Sequence, residues 1–263
     1  MMLKYASILA GSLLLAALPL SADVKITATN TGQGLGAMIN GETVTWVKGP
    51  RMRIDRSGMP EGRTTTIMDA AARLMTTINH DKRAAEITDM ATIGAQIEKS
   101  VAASDVKAQI TPNGSSKPIL GKSCAGYDLL LTVPMTIGNQ PNMAMTVSMT
   151  GHVWIAKGAP GTADYEAFWK AAAQGGLFFG NPQQMKVMPA QSKGLTEMYK
   201  AMASLGGLAY ATDLEMKFQG NEMMAGMMGR MGFTMNSVAT AVSTDPIPDT
   251  EFTVPAGYKT SNK

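Results

Sequence analysis

Short stretches of alternating apolar and polar residues, separated by tight turn signals, dominate this chain. Val24, Ile26 and Ala28 alternate with Lys25, Thr27 and Thr29, the pattern of a half-buried strand. Asn40-Gly41 is a hairpin-type turn signal, and Val44 and Trp46 then alternate with Thr43 and Thr45. After Gly49-Pro50, residues 51–56 place Met52 and Ile54 on one side and Arg51 and Arg53 on the other, facing outward. Strands are expected over Arg63–Met68 and Leu74–Ile78, with a turn at residues 79–82 and a returning strand over Arg83–Ile87.

The period then lengthens. Met90, Ile93, Ile97 and Val101 share a helical face, and Thr88 is the expected cap. Strand patterns resume over Val106–Ile110, turn at Asn113-Gly114, and continue over Ile119–Val133 and Ala144–Ala156. A helix is expected from Thr162 to Ala173, stopped by Gly175-Gly176. Asn181-Pro182 reads as a cap with a first-turn proline. Leu195, Met198, Tyr199, Met202 and Leu205 give another helical face, ended by Gly206-Gly207. Ala211–Phe218 and Phe233–Val242 are the last expected strands. The fold class is α+β, mainly β: sequence neighbours pair into an antiparallel sheet, and a few helices cover one face. No linker, fixed-period repeat or charge block divides residues 23–263, so one domain is expected.

The first 22 residues carry Lys4, an apolar run from Ala6 to Leu20 and a Leu20-Ser21-Ala22 ending. That is the pattern of a secretory signal peptide cut after Ala22. Its run of about 15 residues is short against the roughly 20 of a bilayer span. An uncleaved anchor is the alternative. The expected location is periplasmic or extracellular, and the expected product is a monomer that is not an integral membrane protein. A formal charge of +3 is no electrostatic footprint for nucleic acid. Cys124 is the single cysteine, which excludes an intramolecular disulfide and favours a buried thiol.

Methionine is over-used: 23 Met stand against 6 Phe, 6 Tyr and 3 Trp, so flexible thioethers fill volume that rings would otherwise take. Enzyme signals are absent by comparison. Gly32-Gln33-Gly34-Leu35-Gly36-Ala37 has the wrong spacing for a nucleotide fingerprint and reads as a turn. His80 and His152 are the two histidines, without zinc spacing; His80 reads as a solvated turn residue and His152 as a core-edge residue. No Gly-x-Ser-x-Gly elbow occurs. No catalytic residues, cofactor or enzymatic activity are expected.

Trp46-Val47-Lys48-x-Pro50, at the end of an early strand and ahead of a tight strand pair, resembles the outer-membrane lipoprotein carrier family, the LolA/LolB-like fold. Three further strings make nearly the whole chain from residue 23 resemble an uncharacterised family of secreted bacterial proteins thought to share that fold. They are Gly121-x-x-Cys124-x-x-Tyr127, Val153-Trp154-Ile155-Ala156 and Phe252-x-Val254-Pro255-x-Gly257-Tyr258. The resemblance implies a curved, half-open antiparallel barrel closed by helices, whose concave face holds acyl chains of a lipid or lipidated protein. Candidates for that apolar cavity are Trp46, Met52, Ile54, Ile67, Met75, Met145, Met149 and Trp154. In the carriers an arginine between the Lys and Pro latches the closed form; here it is Gly49.

Met223, Met224, Met227, Met228 and Met231, flanked by Met216 and Met235, are expected to form a flexible flap over the cavity mouth. The alternative for this segment and Met143-Ala144-Met145 is Cu(I) binding, with Met223, Met227 and Met231 spaced to share a helical face. An envelope scaffold without a small ligand is the third reading.

Overall fold

In a computed structural model, the structure describes residues 23–58, 62–100, 106–136, 144–174, 189–220, 226 and 232–263. Twelve strands join one curved, open sheet in the order β12-β6-β5-β4-β3-β2-β1-β11-β10-β9-β8-β7. In chain order they are β1 (Val24–Gly34), β2 (Gly41–Lys48), β3 (Arg51–Ser57), β4 (Thr64–Asp69), β5 (Leu74–Asn79) and β6 (Ala84–Asp89). The others are β7 (Lys107–Ile119), β8 (Lys122–Thr136), β9 (Ala144–Lys157), β10 (Gly207–Gly220), β11 (Phe233–Ser243) and β12 (Lys259–Asn262). Every pairing is antiparallel except that of β12 with β6.

The antiparallel order follows from tight returns between sequence neighbours. Leu120 and Gly121, with φ of 49° and 71°, form the two-residue turn between β7 and β8. The expected turn at Asn113-Gly114 is instead a bulge within β7: the register with β8 shifts between Pro112 and Ser116. Gly32–Ala37 is a turn only in part: Gly32, Gln33 and Gly34 end β1, paired with β11, and the chain then turns through a short 3-10 helix over Leu35–Ile39.

Among the described residues, three α-helices lie on one face of the sheet: α1 (Met90–Ser100), α2 (Thr162–Gln174) and α3 (Pro189–Ala203). The cap of α1 is not Thr88. The Asp89 carboxylate accepts the Ala91 N–H at 2.8 Å, while Thr88 Oγ1 is buried without a partner among the described residues. The cap at Asn181-Pro182 and the stop at Gly175-Gly176 lie outside the described residues. At α2, Tyr165, Phe168, Trp169 and Ala172 recur at helical spacing and are all buried. Gly194 of α3 allows close approach to β8: a Cβ there would stand 2.6 Å from Val133 Cγ2.

On the opposite face the C-terminal strap, from residue 244 to 258, packs over β2–β6. Ile247 and Phe252 bury against Ile67, Ile78 and Ala85, with Trp46, Val254 and Tyr258 around them. The strap leads into β12, a parallel addition that the sequence pattern does not announce.

Candidate apolar binding site

Strand alternation sorts the sheet into two faces. On the helix-covered face, Val47 pairs with Met52, Met52 with Met68, and Met68 with Met75. These side chains meet Met90, Ile93 and Ile97 of α1 and Phe168 and Trp169 of α2 in the main core, with Ile54 half-buried beside them. The rings form a stack: Trp169 lies parallel to Tyr199 of α3 at 4.8 Å, and Phe168 meets Trp169 edge-on at 5.4 Å. Burial pushes the Tyr165 and Tyr199 hydroxyls above their ordinary pKa, so both remain neutral donors.

A second cluster continues the apolar layer under α3. Tyr127, Leu129, Leu131 and Val133 of β8, Met149, Val153 and Ile155 of β9, and Leu214 of β10 pack against Met198 and Met202. Leu195, Leu205, Met216 and Met235 are half-buried at its margin. Across both clusters Met52, Met68, Met75, Met90, Met149, Met198 and Met202 are buried, none more than 8% exposed. Methionine has three rotatable side-chain bonds and no branch, so this layer can repack around a guest more cheaply than one of branched residues.

The sequence candidates divide between the faces. Met52, Ile54, Met75 and Met149 lie under the helices. Trp46 and Ile67 do not: the row Trp46, Arg53, Ile67 runs along the opposite face, beneath the strap. Trp154 alternates with Val153 and Ile155 and so takes the face opposite them, half-buried, beside His152 and under the Lys117 ammonium at 4.6 Å. Trp154 is nonetheless packed against the main core cluster, as Ile54 is; Trp46 and Ile67 look inward-facing only because an apolar strand residue is assigned to the cavity side. Alternation cannot see that a distant segment covers the other side. Met145 is placed by its backbone, opposite Met135 and Gly220. Met223, Met224, Met227, Met228 and Met231 lie outside the described residues.

The Trp46–Pro50 string holds the strap. The Trp46 ring lies between the Lys25 ammonium, 5.2 Å from its centre, and the Arg53 guanidinium at 4.9 Å. Lys48 donates to the Ile247 carbonyl at 2.6 Å, and Lys48 and Arg51 converge on the Asp249 carboxylate at 3.2 and 2.6 Å. Those cations hold the Asp249 carboxyl below its usual pKa. Arg53 chelates Asp55 at 2.8 and 2.9 Å and reaches both the carbonyl and the carboxylate of Glu251. Arg51 and Arg53 do face away from the helices, but they are clamps rather than solvated side chains. Gly49, with φ of 53°, has nothing within 4 Å of where a Cβ would stand.

His80 is not a solvated turn residue. Thr65 Oγ1 donates to Asp55 at 2.7 Å, which leaves that oxygen to accept from His80 Nε2–H at 2.7 Å. Nδ1 then accepts from the Tyr258 hydroxyl of the strap at 3.1 Å. Burial, helped by Arg63, lowers the His80 pKa; Asp55 and Asp81 oppose the shift. His152 is about half exposed rather than at a core edge, and it bonds Asp128 at 2.9 Å. Cys124 is buried, and burial pushes its thiol pKa up.

Ile247, Asp249, Glu251, Phe252 and Tyr258 are the residues that sequence reasoning missed in this role. Their signal was present: the acids of Asp249-x-Glu251 have the same spacing as Arg51-x-Arg53. Among the described residues no three of His, Cys, Asp and Glu cluster as a metal site, and no helix is long and apolar enough to cross a membrane.

Comparison with known proteins adds little to this geometry. No protein-family model matches the sequence, and no curated protein matches it. Among solved structures, the Mycobacterium tuberculosis lipoprotein LppX is similar at 8% identity, with a TM-score of 0.36 over 86% of this chain and 88% of that one. PNGF-II is similar at 12% identity, with a TM-score of 0.37 over 92% of this chain and 32% of its own. At such scores neither overlay carries an argument about activity, and the curved, helix-covered sheet stands on its own strand order.

Proposed function

We propose that this chain is an exported binding protein that holds an apolar ligand, a lipid or the acyl chains of a lipidated protein, between the curved sheet and helices α2 and α3. The observation that carries the reading is the apolar layer of seven buried methionines between sheet and helices, Met52, Met68, Met75 and Met149 on the strands and Met90, Met198 and Met202 on α1 and α3. An enzyme needs fixed groups around a reacting atom. A container for flexible chains needs an apolar interior that can change shape, which this layer supplies. Residues 1–22 support export, and Met52, Ile54, Met75 and Met149 are the proposed contacts. Entry takes place by α3 moving off β8, where Gly194 sits against Val133 and Leu131.

The test is a helix lock. A Gly194→Cys/Val133→Cys pair in a Cys124→Ala background would fix α3 to β8 when oxidised. Binding of a fluorescent long-chain fatty acyl probe is measured in both states. The reading expects saturable binding in the reduced protein and at least a tenfold loss on oxidation. Failure of the reduced protein to bind the probe at all would overturn it.

A further inference from the structure

Three irregularities of the backbone converge on one open recess that none of the buried methionines lines. The β10 register with β9 shifts at Tyr210, leaving one extra residue there. The β11 register with β1 shifts so that Thr27 pairs with Ala241 and Ala28 with Ala239, leaving Thr240 extra. At the β7–β8 turn Leu120 adopts φ of 49° and is 45% exposed. A turn of that type favours Asn, Asp or Gly; a branched apolar residue there is strained and packs little in return. Bulges re-aim side chains, and strain kept without a packing reason marks a functional site.

The recess has a volume of about 370 Å³ and is lined by Leu120, Lys122, Pro160, Tyr210, Val242 and Thr244, with Ala241 beside them. Leu120, Pro160, Ala241 and Val242 make the apolar part of its wall. Its polar side chains are an ammonium and two hydroxyls, and no carboxylate lines it. Lys122 is exposed and has no ion pair among the described residues. The nearest strap acid by sequence, Asp245, accepts from Ser243 Oγ. One uncompensated cation beside hydroxyl donors and apolar walls is complementary to a single anionic group on an apolar body.

We propose that this recess is a binding site for a small anionic amphiphile, a medium-chain carboxylate or phosphate ester, whose charged group meets Lys122 while its chain lies on Leu120, Pro160 and Val242. The site borders the main core, whose cluster includes Tyr210 with Val242 packed against it, but uses none of the residues proposed to hold the interior ligand.

Decanoate and decanol are the probes, titrated into the full chain while backbone amide shifts are followed by NMR. Decanoate is expected to give saturable shifts at Leu120, Lys122, Ala241 and Thr244. Lys122→Gln should weaken its binding about fivefold to tenfold, the loss of one charge-assisted contact at an exposed site, and leave decanol unchanged. Ala241→Trp should abolish the shifts by filling the recess from an exposed position. Leu120→Gly should abolish them too while leaving the fold at least as stable, because glycine accepts the left-handed turn. Unsaturable shifts, equal binding of decanol, or decanoate binding unaffected by Lys122→Gln would each overturn the proposal. Loss of acyl-probe binding under α3, with these shifts intact, would count against the interior site alone.

Discussion

Replacing Arg53 with Met removes the centre of the contact between strap and sheet while keeping the length of the side chain. The Arg53 guanidinium is about 15% exposed; it chelates Asp55, holds the carbonyl and carboxylate of Glu251, and lies over Trp46. Hydrogen bonds to a charged group contribute about 1.5–3 kcal/mol net. The ring contact adds about 0.5–1 kcal/mol. Asp55 and Glu251 retain 27% and 41% exposure, so water re-solvates them in part and the full cost of orphaning a buried charge does not apply. The expected loss is about 2–3 kcal/mol, which for a chain of this size lowers Tm by about 5–10 °C. Urea unfolding followed by tryptophan fluorescence measures it. Amide exchange should also accelerate first at 247–262, because those residues lose their anchor. A loss below about 0.5 kcal/mol, or exchange that accelerates evenly over the sheet, would refute the view that this network fastens the strap.

Met75, about 1% exposed, should cost about 2–5 kcal/mol when replaced by Ala, whereas Met52→Leu should cost less than about 1.5 kcal/mol because volume is conserved; chemical denaturation reads both. Gly161→Ala should cost about 2–4 kcal/mol, since φ is 85° and the new Cβ would stand 2.5 Å from Val24 Cβ; an unchanged Tm would contradict this. Stability should fall as pH drops below the ordinary histidine value of about 6.5. The folded pKa of His80 is lowered by burial and Arg63, so the unfolded chain takes up the proton first; the contribution is complete above that value and is lost towards the folded pKa. His80→Asn should remove this slope from unfolding measured across that range.

The strands were legible because alternation is local. Residues 51–56 betray their pairing by period alone, and the register from Met52 through Met68 to Met75 follows once the turns are placed. The helix faces of α2 and α3 were legible for the same reason. What the pattern does not carry is the partner of each face. Trp46 and Ile67 look like cavity residues until a strap 200 residues away is seen to cover them. His80 does lie in the turn between β5 and β6, but it looks solvated for the same reason, since Tyr258 comes to it only in three dimensions. Asn113-Gly114 has a turn composition, yet Gly126 lies opposite: a Cβ there would meet Asn113 Oδ1 at 2.7 Å, so the segment folds flat over β8 as a bulge instead of reversing the chain. The carrier-like string at residues 46–50 owes its spacing to a static anchor: its Trp, Lys and following arginines bind the C-terminus, and the position of the latch arginine is an open turn glycine.

The central claim is that the methionine layer holds a ligand, and native mass spectrometry of the protein gently isolated from its own cell envelope tests it most directly. The account predicts a mass above that of the polypeptide, released on denaturation as an organic-extractable apolar molecule and reduced in a Met75→Ala/Met149→Ala variant that remains folded. A bare polypeptide mass, with no uptake of a long-chain lipid offered afterwards, would contradict it.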